Sequence, residues 1–180
     1  RDYLRVHYWD RFDFTDTLFT VRADTLQMVE AYARYIALIS DRPTDGSPID
    51  SLMRRASSSR KMLDYFSMLA EQVLHDPNSP LRNDEFYIPV LQAQLRSPWY
   101  DEYERIAPQY DLEMAMQNRL GHRANDFRYT LASGASGNLY GLHAEYVLLF
   151  INNPGCPMCR EIREAITSSP MLSEMIERGR

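Results

Sequence analysis

Near residue 121 the spacing of apolar side chains changes from every third or fourth position to every second, and this change constrains the fold most. Up to that point the chain reads as helices. Asp24 and Thr25 can cap a helix in which Val29, Tyr32, Ala33, Ile36 and Ile39 share one face. The breaker-rich stretch from Asp41 to Pro48 separates it from a second helix, with Ile49, Leu52, Met53 and Ala56 on one face. A third carries Met62, Phe66, Leu69 and Val73 and ends at Asp76-Pro77-Asn78-Ser79-Pro80. A fourth is expected from Asp84 to Leu95, with Pro89 tolerated near its first turns. Ser97-Pro98 reads as the cap and first residue of a fifth, running to about Asn118, kinked at Pro108 and stopped by Leu120-Gly121.

Beyond Gly121, Phe127-Arg128-Tyr129-Thr130-Leu131 alternates as a half-buried strand does. The turn from Ser133 to Gly137 and a return strand at Asn138-Leu139-Tyr140 complete a hairpin. Tyr146 to Ile151 is apolar throughout, as expected of a strand covered on both faces. The expected organisation is a helical domain over 1–120 and an α/β segment over 121–180.

The chain has two cysteines, Cys156 and Cys159, and they form a C-x-x-C behind that apolar run and ahead of a helical pattern from Arg160 to Ile166. Strand, short loop, dithiol and helix is the setting of redox chemistry. Cys156 falls at the helix N-terminus, where free N–H groups and the helix dipole favour a thiolate. It is the expected nucleophile, and Cys159, one turn further in, the resolving thiol. Pro157 suits the first turn, where its missing N–H has no intrahelical partner. A structural disulfide and a metal site are the alternatives. Zinc needs two more ligands, and His7, His75, His122 and His143 lack zinc-finger spacing. No metal and no organic cofactor is expected.

From about Asn125 onward the chain resembles the start of a thioredoxin-like domain of the TlpA/ResA type. The resemblance rests on Asn125-Asp126-Phe127, the glycine-containing turn from Gly134 to Gly137, the run Val147 to Ile151, and Cys156 to Cys159. The whole chain resembles Bacteroidetes envelope proteins in which a helical domain of unknown function precedes such a module. Tyr8-Trp9-Asp10-Arg11-Phe12-Asp13-Phe14-Thr15-Asp16, Asp76 to Pro80 and Asn152-Asn153-Pro154-Gly155-Cys156 carry that likeness. The resemblance implies a thiol–disulfide oxidoreductase of the periplasm or cell envelope, acting on protein thiols and disulfides, in a parent that can carry a lipid anchor. The sequence departs from the family pattern in one place: Gly155 stands where a Trp commonly precedes the first cysteine. The resemblance also implies further strands, a helix and a cis-proline loop after the dithiol helix. The residues after Cys159 leave no room for them, so the chain is expected to be an inactive fragment whose exposed strand edges favour self-association.

The rival expectation is a helical module that binds a peptide, protein or glycan and carries a structural thioredoxin-like tail. The aromatic and acidic cluster Tyr8 to Phe14 suits such a groove, although packing of its aromatics onto the core is the simpler expectation. Asp76, Asn78 and Asp84 lack EF-hand spacing and read as a capped turn. Asp101, Glu102 and Glu104 read as a solvated helix start. A net charge of −5, with Lys61 the only lysine, gives no basic tract for nucleic acid. No apolar run reaches the roughly 20 residues of a membrane span.

Overall fold

The computed structural model describes residues 2–152 and 155–178. Arg1, Asn153, Pro154, Gly179 and Arg180 lie outside the described residues. By internal contacts the chain divides into units 1–124 and 125–180.

The first unit is helical: α1 (Asp2–His7), α2 (Phe19–Arg22), α3 (Thr25–Ile39), α4 (Ser47–Ala56), α5 (Arg60–Ala70), α6 (Asp84–Arg96) and α7 (Ile106–Ala115). Asp24 caps α3 by accepting from the backbone N–H groups of Leu26 and Gln27, and Ser59 and Asn83 cap α5 and α6 in the same way. The apolar faces read from the sequence point inward, and Ile39, Ile49, Met53, Met62, Phe66 and Leu69 are fully buried. Phe66 is the hub of this core. Trp9 and Phe12 meet its ring edge-on at 5.4 and 5.3 Å, and Phe14 stacks on it at 5.3 Å. Burial of one such side chain contributes about 1.5–3 kcal/mol. The aromatic cluster is therefore core rather than groove. It lies mostly in the turns after α1 rather than on a terminal helix. Arg5 is buried with it, and its guanidinium pairs with Asp41 and donates to the Ile39 carbonyl at 3.3 Å.

Three local expectations are corrected here. Helix α5 does not stop cleanly but widens into a π-helical turn, Glu71–His75. No helix starts at Pro98: Ser97 closes α6, and its hydroxyl accepts from the Trp99 N–H at 3.1 Å. Residues 98–105 turn instead, and Asp101 and Glu104 bond reciprocally to each other's backbone N–H. Helix α7 begins at Ile106, so Pro108 sits in its first turn, where its missing N–H costs nothing. It ends at Met116, ahead of Asn118 in the left-handed region, rather than at Gly121. In α6, Pro89 is interior and withholds an N–H from the Glu85 carbonyl. Gly46 packs against this point so closely that a Cβ there would lie 2.8 Å from Pro89 Cγ.

In the second unit β1 (Arg128–Thr130) and β2 (Ser136–Asn138) form an antiparallel hairpin, with Tyr129 opposite Gly137. The return strand ends earlier than expected, because Leu139–Gly141 turns into a 3-10 helix. The strand expected at Tyr146 to Ile151 has no regular structure, and Ile151 is 92% exposed. A strand exists through its ladder partners, and among the described residues no segment pairs with this one. Two helices follow, α8 (Pro157–Thr167) and α9 (Pro170–Glu177).

Candidate functional site

The dithiol sits where the backbone turns into α8. Gly155 has φ +82°, a left-handed conformation that costs a side-chain-bearing residue strain, although open space surrounds the position. Cys156 follows as the N-cap in extended conformation, and Pro157 occupies the first helical position. The Cys156 sulfur accepts from the Cys159 backbone N–H at 3.4 Å. A cysteine thus fills the role that Ser or Asp usually fills at a helix start.

This geometry sets the electrostatics. The Cys159 thiol and then the Cys159 N–H bond to the Cys156 sulfur, and together they hold the Cys156 thiol below its ordinary pKa. Both cysteines are free and half-buried. They line a cleft of about 370 Å³ with Asn152, Gly155, Arg160 and Arg163. Both candidate site residues are thus brought together by one turn of one helix. The apolar run before them does not form the covered strand that its composition suggested.

The other candidates separate. The Asp76 carboxylate accepts from the Asn78 backbone N–H at 2.7 Å, an Asx turn that leaves Asp84 to its own helix start. His7 bonds Asp10 at 2.6 Å, and His75 stacks on Tyr87 at 4.6 Å between centroids. Among the described residues no group of three or more His, Cys, Asp or Glu can hold a metal. No described helix is long and apolar enough to cross a membrane.

Sequence reading missed a second cleft, of about 410 Å³, lined by Arg60, Asp64, Glu71, Tyr87, Tyr100 and Asp111 among others. Its residues come from α5 and its π turn, α6, the following turn and α7. No short motif announces such a site. The only signal was an excess of acids and tyrosines on these segments.

Residues 1–118 match the family described as a domain of unknown function, DUF5106. The chain is also similar to a thioredoxin-like protein from Bacteroides caccae, whose crystal structure aligns with a TM-score of 0.90 at 41% identity. The alignment covers 99% of this chain and 64% of that one, so the chain spans a little under two thirds of its relative's length. No curated protein matches.

Proposed function

We propose that this chain, which belongs to the DUF5106 family, is the helical domain and leading part of a thiol–disulfide oxidoreductase. One observation carries the reading: the Cys156 sulfur caps α8 and receives hydrogen bonds from the Cys159 N–H and thiol. Both favour the thiolate, which is the attacking species. The likeness to a thioredoxin-like protein supports it.

The Cys156 thiolate attacks one sulfur of a substrate disulfide. A Cys156–substrate disulfide forms, and the other substrate sulfur leaves as a thiolate that takes up a proton. Cys159 then gives up its proton and attacks the Cys156 sulfur. The second substrate thiolate leaves, and a Cys156–Cys159 disulfide remains. The substrate has gained two electrons and the dithiol has lost two, which an external dithiol donor restores. Gly155 leaves the approach to Cys156 without an aromatic wall, a feature that suits protein substrates. A cell-envelope location, where protein disulfides persist, fits this chemistry.

Insulin reduction by the full-length protein that contains this chain tests the reading. Activity is expected in the wild type, with little from the 180-residue chain alone, and Cys156→Ser should abolish it. Unchanged turnover in that variant would overturn the proposal.

A further inference from the structure

A cavity of about 120 Å³ is lined by residues of α1, the turn after it, α3 and α4. Its charged lining is two arginines, Arg5 and Arg55, and no acid. Val6, Pro48 and Leu52 supply apolar wall. Asp41 and Asp10 pair with these arginines, but neither acid lines the cavity.

Two buried N–H groups on lining residues have no acceptor among the described residues. Trp9 is 7% exposed, and its indole Nε1–H, the one polar group of that side chain, makes no hydrogen bond. Arg5 is 6% exposed, and its two terminal nitrogens donate to the Ile39 carbonyl at 3.3 Å and to Asp41. Its Nε–H is left over. Arg55 donates to Asp10 and to the Trp9 carbonyl at 3.1 and 3.0 Å, which holds a second guanidinium beside the same tryptophan. A buried donor without an acceptor costs free energy, and here two such donors belong to the wall of one small cavity.

We infer that this cavity binds a carboxylate carried on a short apolar chain. A carboxylate brings acceptors only, whereas a water also brings two hydrogens, for which two arginines and an indole have no use. A charged acceptor also makes a stronger bond to arginine than a neutral one. One water of the liquid occupies about 30 Å³, so the cavity takes roughly four waters or one molecule of propionate size. A sugar ring or a nucleotide is too large. Val6, Pro48 and Leu52 then cover the apolar chain. The carboxylate can belong to a free acid or to the end of a peptide. The inference does not rest on the dithiol chemistry. It gives the helical domain a ligand of its own.

Titration of the ¹⁵N-labelled 180-residue chain with sodium propionate tests it, read at the indole N–H signals. The chain has two tryptophans, and Trp99→Phe assigns the signal of Trp9. A saturable downfield movement of the Trp9 indole proton is expected with millimolar propionate. The Trp99 signal should stay in place, since its N–H already donates to the Ser57 carbonyl at 3.5 Å. Propionamide, which has the same shape without the charge, and sodium chloride at matched ionic strength should leave Trp9 unmoved. That comparison uses the wild type, so the folding of a variant does not enter it. Arg55→Gln should weaken binding by at least about tenfold. Arg34→Gln, on the exposed face of α3, should change nothing. Acetyl-Gly-Ala with a free C-terminus separates the two sources: tighter binding than propionate assigns the carboxylate to a chain end, weaker binding to a free acid. Equal shifts with propionamide or chloride, undiminished binding by Arg55→Gln, or no saturable shift with millimolar propionate would each overturn the inference.

Discussion

Cys156 caps α8, and the contacts that make it a cap are those on which its proposed role as nucleophile rests. Hydrogen bonds from Cys159 and the start of α8 favour negative charge on its sulfur, so its pKa is lowered. A lowered thiol pKa means that the thiolate appears at a lower pH as pH rises. Alkylation of Cys156 by iodoacetamide should therefore reach half its maximal rate below the ordinary thiol value of about 8.5. Peptide mapping after alkylation across a pH series reads both sites, and a Cys156 midpoint at or above the ordinary value would contradict the assignment. The dithiol was legible in the sequence because its parts are contiguous: Gly155, Cys156, Pro157 and Cys159 specify the turn, cap and first helical residue within five positions. The Arg5–Trp9–Arg55 cavity was not, since its residues meet only after α1, α3 and α4 have packed.

Among the elements, α3, α5 and α6 were readable because apolar residues recur at helical spacing behind a side chain able to cap, and α4 by the same spacing behind Pro48 in its first turn. Asp24 shows the strength of that signal. Asp24→Ala removes the acceptor for the Leu26 and Gln27 N–H groups and should cost about 1 kcal/mol. A urea denaturation midpoint lowered to that extent, with an unchanged slope, is the expected result; an unmoved midpoint would show that α3 does not depend on its cap. The misread elements have physical causes. Ser97-Pro98 has the composition of a helix start, but Ser97 was already engaged in closing α6, and the helix begins instead at Ile106, two residues before Pro108. Tyr146 to Ile151 has a strand's composition, yet composition does not supply ladder partners. The π turn at Glu71–His75 leaves no trace in apolar spacing, since Val73 and Leu74 are buried there as they would be in an α-helix.

At the scale of the whole molecule, two units carry different information. Unit 1–124 encloses an aromatic core around Phe66 and belongs to a family recognised over 1–118. Unit 125–180 carries the hairpin, the exposed apolar run and the dithiol helix. The relative carries the thioredoxin-like description, and this chain spans 64% of that relative's length. The central claim is that Cys156 attacks and Cys159 resolves. Trapping in the full-length protein tests it most directly: Cys159→Ser removes the resolving thiol and should leave substrate proteins bound through Cys156 in disulfides that a reductant releases. Cys156→Ser should trap far less. No covalent adducts in the Cys159→Ser variant, or equal trapping by both variants, would contradict the account.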